Sequence, residues 1–165
     1  MAEINNQAAN TVEFLEYIGK LKHLKRTGWV LRNINDPETV SGHMYRMAVM
    51  TFLIDDSFDL DKIKCMQLSL VHDMAECIVG DLTPFCGEYE EQNSKEAKFV
   101  KELDRLDLIL QAFEYEKINN APNKCQEFFD STLNKIGHPL LLPLKQEVML
   151  QRSRFSASAE TTENS

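Results

Sequence analysis

The 165-residue chain lacks several features that would mark other classes of protein. Its net charge is −8 and no basic run offsets this acidity, which argues against binding to a nucleic-acid polymer. No apolar stretch approaches the length of a membrane span, and the first ten residues lack the pattern of a secretory signal. The four cysteines form no CxxC pair. These absences favour an intracellular, cytoplasmic protein without a membrane partner.

Alternating runs of β-branched residues are also missing, whereas apolar residues recur at helical spacing along the chain. An apolar fraction of 43% is enough to build one core. The sequence therefore predicts an all-α bundle of about five to six helices over residues 11–151. Residues 1–10 are expected to form a flexible N-terminus, and residues 152–165, rich in Ser, Thr and Glu, a disordered tail.

Three predicted helices carry residues that commonly bind metals. His43 lies in the first turn of the second helix, on its apolar stripe. His72 and Asp73 are consecutive on the third helix, which should start near Asp59 or Asp61 and continue as far as Gly80. Asp104 lies mid-stripe on a long helix over about 94–115, where an unpaired carboxylate is costly to bury. Two imidazoles and two carboxylates suit one divalent ion, such as Mn²⁺, Co²⁺, Fe²⁺, Zn²⁺ or Mg²⁺.

Two further acids are candidates for catalysis. Glu76 follows His72 by four residues, so it shares the same helical face and could act as a general acid or base. Asp81 comes directly after Gly80 and should lie near the same mouth, where it could orient water or bind a sugar hydroxyl.

Spacing alone leaves other interpretations open. His43 could be a core histidine, Glu76 a solvated helix charge, and Asp104 could pair with Arg105 or Lys101. Asp107 is a rival ligand, because it lies three residues after Asp104 and near the same helical face.

Four segments, in order along the chain, resemble the HD-domain phosphohydrolases, in the branch of the HD domain-containing protein 2 group and the bacterial 5′-deoxynucleotidases. They are Val40-Ser-Gly-His-Met-Tyr-Arg-Met-Ala48, Leu70-Val-His-Asp-Met-Ala-Glu76, Gly80-Asp-Leu-Thr-Pro84 and Ala97-Lys-Phe-Val-Lys-Glu-Leu-Asp104. The resemblance implies an all-helical fold, one divalent metal, a homodimer, and removal of the 5′-phosphate from deoxyribonucleoside monophosphates.

The resemblance also implies a role for each matching residue. The metal ligands would be His43, His72, Asp73 and Asp104. Glu76 would be the acid/base residue and Asp81 a helper in catalysis. Arg32 would hold the phosphate, and Trp29 would line the sugar pocket, where its bulk can exclude a 2′-hydroxyl; the alternative for Trp29 is a core aromatic.

Two departures from the family pattern bear on activity. Gly42 stands where relatives usually carry an acid before the first ligand histidine, so a hydrogen bond that supports that ligand would be lost. Relatives also carry several dozen residues that are missing here between about residues 84 and 90. Two alternatives follow: a catalytically impaired short form that dimerises or regulates, or an HD phosphohydrolase acting on another nucleotide.

Overall fold

A computed structural model describes residues 2–81 and 94–163 of the chain. Within these ranges the structure is helical, without a β-strand, so the predicted all-α class is confirmed. The α-helices are α1 (Ala2–Lys20), α2 (Thr27–Val30), α3 (Val40–Met50), α4 (Lys62–Val71), α5 (Glu76–Val79), α6 (Lys95–Ile118), α7 (Gln126–Thr132) and α8 (Leu142–Glu163). Short 3₁₀ turns follow α3, over Thr51–Leu53, and α7, over Leu133–Lys135. None of these helices is long and apolar enough to cross a membrane.

Helix α6 forms the centre of the core, and α3, α4, α7 and α8 pack around it. Its inward side chains are fully or nearly fully buried, because the apolar positions recur at helical spacing. They include Phe99, Leu103, Leu106, Ile109, Ala112 and Phe113. A smaller apolar cluster joins α1 to α3 and α5 through Leu21, Val40, Met44 and Cys77.

Side-chain caps fix where the three helices of the candidate site begin. Thr39 caps α3 by accepting a hydrogen bond from the Gly42 N–H (3.2 Å), and Asp61 caps α4 through the Lys64 N–H (3.0 Å). Ser94 caps α6 through the Ala97 N–H (3.1 Å). Each cap satisfies a backbone donor that has no partner inside the helix. The helix start predicted at Asp59 or Asp61 is therefore observed at Asp61.

The predicted third helix is interrupted. Residues 72–75 form a turn between α4 and α5, so Glu76 begins a separate short helix rather than extending the first. Gly80 ends α5 with a φ of 85°, a left-handed conformation that favours glycine. The termination predicted at Gly80 is thus correct, although the continuous helix before it is not.

Both ends of the chain differ from the flexible segments predicted for them. Helix α1 begins at Ala2, and helix α8 continues to Glu163 through residues 152–163. Arg152 explains the second difference, because it is buried and donates two hydrogen bonds to the Glu116 carboxylate. Phe155 then stacks edge-on against Phe113 at 6.1 Å. The prediction of a disordered tail rested on the polar composition of residues 152–165, and that composition gave no sign of the contacts made by Arg152 and Phe155. The predicted shortening between about 84 and 90 lies outside the described residues.

Candidate metal centre

His72 lies at the end of α4, where its ring is held by the backbone. Its Nδ1 is 2.9 Å from the carbonyl oxygen of Ser69. A carbonyl oxygen only accepts hydrogen bonds, so Nδ1 carries the proton and Nε2 is left to face the interior of the site. The turn at 72–75 begins here, and it lets the adjacent Asp73 reach the same point, with its Oδ2 at 3.1 Å from the His72 Nε2.

His43 lies in the first turns of α3 and is fully buried. Its Nδ1 is 2.7 Å from the Oδ2 of Asp107, while its Nε2 points at the His72 Nε2 across 3.3 Å. The same Nε2 is 3.4 Å from the Asp104 Oδ1 and 3.7 Å from the Asp73 Oδ2. Ligand atoms of His43, His72 and Asp73 all lie within 4.8 Å of one another.

The other three predicted ligands, His72, Asp73 and Asp104, thus each have an atom within 3.7 Å of the His43 Nε2, and Asp107, the rival of Asp104, lies behind the His43 ring. The second oxygen of Asp104 accepts a hydrogen bond from the Lys101 Nζ at 3.1 Å. The Nε2 atoms of His43 and His72 face each other across 3.3 Å, close enough for one to donate a hydrogen bond to the other or for both to bind one cation. Each ring already commits its Nδ1 elsewhere, which leaves Nε2 as the ligand atom. Two nitrogens and two carboxylates match the donor set of a mid-series divalent ion. The residues present therefore fit a divalent cation.

The charges around His43 reinforce this conclusion. Burial and the charge of Arg26 would lower the pKa of His43, but Asp104 and Asp107 together raise it to about 9. Burial would likewise raise the pKa of Asp104, yet His43, Lys101 and Arg26 hold that pKa well below its usual range. The centre stabilises positive charge among ionised carboxylates, which is the condition that a bound cation requires.

A guanidinium that sequence reasoning missed, that of Arg26, also belongs to the site. Arg26 precedes α2 and is largely buried. Burial lowers its pKa, but the charges of Asp104, Glu38, Asp73 and Asp81 outweigh this and raise it. Two of these acids are candidate metal ligands, so their charges act on the guanidinium, whose Nη1 lies 3.4 Å from the Glu38 Oε1. The only sequence signal was that Arg26 lies three residues before Trp29, which the resemblance placed in the sugar pocket.

Arg32, predicted to hold the phosphate, lies elsewhere. Its Nε donates to the Glu127 Oε1 at 2.5 Å, and its guanidinium stacks over the Phe128 ring at 4.8 Å. These partners belong to α7, whereas the candidate ligands lie on α3, α4 and α6 and in the turn after α4. The Arg32 side chain, two residues after the end of α2, thus lies against α7 rather than among the candidate ligands.

Trp29 is a core aromatic rather than the wall of an open pocket. It is 1% exposed and packs against Tyr115 and Phe128 at centroid distances of 5.1 and 4.5 Å. Its indole N–H donates to the Glu38 Oε1 at 2.9 Å, which satisfies the polar atom inside the core. The alternative interpretation of Trp29 is therefore the one that the structure supports.

The two predicted catalytic acids lie at opposite ends of α5. Glu76 is buried at its first residue, and its backbone N–H donates to the Asp73 carbonyl at 3.1 Å. Asp81 follows Gly80, and its carboxylate accepts a hydrogen bond from the Thr27 backbone N–H. Because Thr27 is adjacent to Arg26, Asp81 ties the end of α5 to the segment that carries the guanidinium.

Comparison of the sequence with protein families gives a match to the HD domain over residues 18–88 and 85–141. The chain belongs to the HD-domain family. Among its relatives, 5′-deoxynucleotidase HDDC2 from Homo sapiens is 42% identical over 192 aligned positions, covering 96% of this chain and 94% of the relative. The 5′-deoxynucleotidase hdd1 of Schizosaccharomyces pombe is 32% identical over 190 positions, covering 92% and 95% of the two chains.

Solved structures agree on the architecture of this HD domain. A conserved hypothetical protein from Pyrococcus furiosus superposes with a TM-score of 0.71 at 26% identity, over 84% of this chain and 98% of the other. A predicted coding region from Archaeoglobus fulgidus gives 0.68 at 22% identity, over 87% and 96%, which shows a common fold.

Gly42, the residue before the first candidate ligand in this HD domain, fits its position closely. Its N–H donates to the Thr39 Oγ1, and a Cβ built at residue 42 would lie 3.3 Å from that oxygen. A side chain would therefore crowd the helix cap slightly. An acid at position 42 was expected to supply a hydrogen bond that supports His43. In this chain Asp107 of α6 contacts the His43 ring instead.

Proposed function

We propose that this chain is a metal-dependent phosphomonoesterase that hydrolyses deoxyribonucleoside 5′-monophosphates to deoxynucleoside and phosphate. The observation that carries the proposal is the pair of Nε2 atoms of His43 and His72, which face each other at 3.3 Å with Asp73 and Asp104 alongside. The substrate class is supported by relatives named 5′-deoxynucleotidase that align with nearly the whole chain.

The four residues His43, His72, Asp73 and Asp104 would hold one divalent ion, with Mn²⁺, Co²⁺, Fe²⁺, Zn²⁺ and Mg²⁺ as the candidates. Such an ion supplies a Lewis acid and lowers the pKa of water beside the phosphorus. The fully buried His43 fixes the inner side of the site, whereas the Asp73 and Asp104 side chains are 25% and 19% exposed and leave the outer side open to substrate.

Arg26 would bind the phosphate of the substrate, in place of Arg32. The charges of Asp104, Glu38, Asp73 and Asp81 raise the pKa of its guanidinium, and the Glu38 Oε1 lies 3.4 Å from its Nη1. A planar guanidinium donates two parallel hydrogen bonds to phosphoryl oxygens and stabilises the charge that develops on them. Asp81, which bonds the Thr27 backbone, would keep this segment in register with the metal ligands.

Glu76 would move the proton that the reaction requires. It is buried and lies three residues after Asp73, at the first residue of α5. A carboxyl group in this position takes a proton from the attacking water and delivers it to the leaving 5′-oxygen. Phosphate and a deoxynucleoside would then leave through the partly exposed side of the centre.

Two broader properties belong to the same proposal. We infer a homodimer, because α3 and the following turn expose an apolar stripe at helical spacing: Tyr45, Val49, Phe52 and Leu53. We also infer an intracellular, cytoplasmic location. The described cysteines are Cys65, Cys77 and Cys125; all three are buried as free thiols, as is usual in a reducing compartment.

The expected loss of a segment is supported by the comparisons. The human relative aligns over 192 positions although this chain has 165 residues, so that relatives carry residues without a counterpart here. The family match also divides into two ranges that meet at 85–88. The candidate ligands come from both sides of this junction and still converge, which favours an active enzyme over an impaired short form.

The test is phosphate release from dAMP and from AMP by purified protein with added Co²⁺ or Mn²⁺. We expect metal-dependent turnover that favours dAMP. Arg26→Gln should lower kcat/KM by about 10²–10³-fold, as for the loss of a donor to developing oxyanion charge. Arg32→Gln is the matched control and should stay close to wild type. No release from either nucleotide by folded, metal-loaded protein would overturn the proposal.

A further inference from the structure

Asp107 lies one helical turn after Asp104 on α6 and is fully buried directly behind His43. Its Oδ2 lies 2.7 Å from the His43 Nδ1. An ionised carboxylate only accepts hydrogen bonds, so this contact requires the proton to be on Nδ1. The Nε2 of the same ring faces Asp73, Asp104 and His72, where a bound divalent ion would take its lone pair.

Arg46 fixes Asp107 in turn. Its Nε donates to the Asp107 Oδ1, its Nη2 donates to the Asp107 carbonyl at 3.3 Å, and its Nη1 donates to the Glu114 Oε2 at 3.0 Å. Burial alone would raise the pKa of Asp107, but the hydrogen bonds from His43 and Arg46 lower it. The carboxylate thus stays charged inside the core and its two oxygens have separate partners.

This arrangement distinguishes the two acids of α6. Both oxygens of Asp107 are committed, one to the His43 ring and one to Arg46, whereas the Asp104 Oδ1 faces the His43 Nε2 at 3.4 Å. The two acids are three residues, or about one helical turn, apart on α6. Asp104 therefore reaches the Nε2 side of the His43 ring, and Asp107 reaches its Nδ1 side.

We propose that Asp107, clamped by Arg46, is a positioning residue of the metal centre: it fixes the tautomer and orientation of His43 and thereby sets the affinity for the metal. The inference rests on the proposed function, since it assigns a role toward the same divalent ion. It also explains how Gly42 is tolerated, because the supporting acid comes from α6 instead of from the residue before His43. Loss of such a supporting carboxylate costs roughly 10–100-fold in metal affinity.

The experiment is Co²⁺ titration of the full chain, followed by calorimetry, with Asp107→Asn as the main variant. We expect its Kd for Co²⁺ to rise by about 10–100-fold. Glu114→Gln is the matched control, because Glu114 bonds the same arginine without touching His43; its Kd should stay near that of wild type. Melting curves without metal would verify that each variant is folded.

A second measurement reports the tautomer directly. In the Zn²⁺-loaded wild type, histidine ¹H–¹⁵N correlation spectra should show His43 with its proton on Nδ1 and with Nε2 bound to the metal. In Asp107→Asn the Nδ1 proton signal should shift or broaden by exchange, while the His72 signal, supported by the Ser69 carbonyl, should be unchanged. A merely structural role for Asp107 would affect both histidines or neither.

Arg46→Gln keeps the proposal testable even if Asp107→Asn does not fold, because it loosens the clamp and leaves the carboxylate in place. We expect a several-fold weaker affinity for Co²⁺ than in Glu114→Gln. A folded Asp107→Asn with wild-type affinity, or an Arg46→Gln equal to the control, would overturn the inference. Failure of the wild type to bind Co²⁺ or Mn²⁺ would instead overturn the proposed function, and this inference with it.

Discussion

Two buried ionic clusters lie on the same helix, α6, and they differ in how completely their charges are paired. Near its C-terminal end, the Glu116 carboxylate accepts hydrogen bonds from the Arg152 Nε and Nη2 at 2.7 and 2.9 Å and from the Cys125 N–H at 3.0 Å. The same Nη2 also lies 3.1 Å from the Asn123 Oδ1 and 2.9 Å from the Gln126 Oε1. We call this cluster closed, because both oxygens of Glu116 accept hydrogen bonds from Arg152.

The cluster nearer the start of α6 is organised differently. The Nε2 of His43 has three polar neighbours at 3.3–3.7 Å, all farther than the 2.7 Å contact that its Nδ1 makes with Asp107. His72, Asp73 and Asp104 all approach this one nitrogen, and the ligand atoms of His43, His72 and Asp73 lie within 4.8 Å of one another. Burial of charge alone therefore does not mark a functional site, whereas donor atoms that converge on a shared point do.

The largest expected effect comes from breaking the closed cluster. Arg152→Ala should lower the free energy of unfolding by about 3–5 kcal/mol, because it leaves Glu116 charged and unpaired in the core. Urea unfolding followed by circular dichroism measures this. Arg154→Ala, two residues on and exposed, should change stability by less than about 0.5 kcal/mol. A loss below about 1 kcal/mol in Arg152→Ala would show that the tail is not anchored as described.

A substitution in the cluster around His43 should have a small effect on the stability of the metal-free protein and a large effect on its stabilisation by metal. With Co²⁺ at a hundred times its Kd, the wild type should gain about 2.7 kcal/mol of stability, and Asp73→Ala should gain almost none. Metal-free Asp73→Ala should remain within about 1 kcal/mol of wild type, because the side chain is partly exposed and neighbours a like charge on Asp104.

Phosphate release by Asp73→Ala should fall to the background rate, whereas Asp56→Ala, which removes an exposed carboxylate, should retain activity. Melting curves with and without Co²⁺ provide the stability readout. Full turnover by folded Asp73→Ala would exclude this residue as a ligand.

Trp29 is buried in the core, and its indole N–H has a hydrogen-bond acceptor in Glu38. Its substitution therefore tests whether the ring contributes only to stability or also to the choice between dAMP and AMP. Trp29→Phe removes the indole N–H that donates to Glu38 and should cost about 1–3 kcal/mol. The ratio of kcat/KM for dAMP to that for AMP should stay unchanged, since the ring is packed in the core. A shift of that ratio toward AMP would restore Trp29 to the sugar pocket.

The smallest effect is expected at the edge of the core, where Lys64 donates to the Glu96 Oε2 at 2.9 Å. The hydrogen bond from Lys64 lowers the pKa of Glu96 from 4.5 to about 2. The pair therefore contributes stability above about pH 4.5 and loses it as the pH falls toward 2. Glu96→Gln should flatten the acid side of the stability profile over that window, measured as Tm against pH. An unchanged slope would show that the pair is solvated.

Much of the fold followed from local sequence signals. Helical periodicity, the cap at Asp61 and the terminator at Gly80 are properties of short segments, so their prediction did not need tertiary contacts. The turn at 72–75 was missed because its residues are compatible with a helix. The turn lets Asp73 approach His43, which is distant in the sequence.

At the candidate site, the sequence by itself nominated the candidate ligands His43, His72, Asp73 and Asp104 through spacing and resemblance. In the structure the last three each have an atom within 3.7 Å of the His43 Nε2. The sequence also determined the all-α class and the HD-domain family. Each of these depends on which residue types occur at helical spacing, a property that a linear chain carries in full.

Only the tertiary structure decided which of several similar side chains reaches the centre. Arg26 faces the carboxylates and Arg32 faces α7, although both lie in one short segment. Asp107 supports His43 from behind because α3 packs against α6, bringing together residues 64 positions apart. The physical reason is that the direction of a long or buried side chain depends on the helices packed around it, and those contacts are not encoded in local spacing.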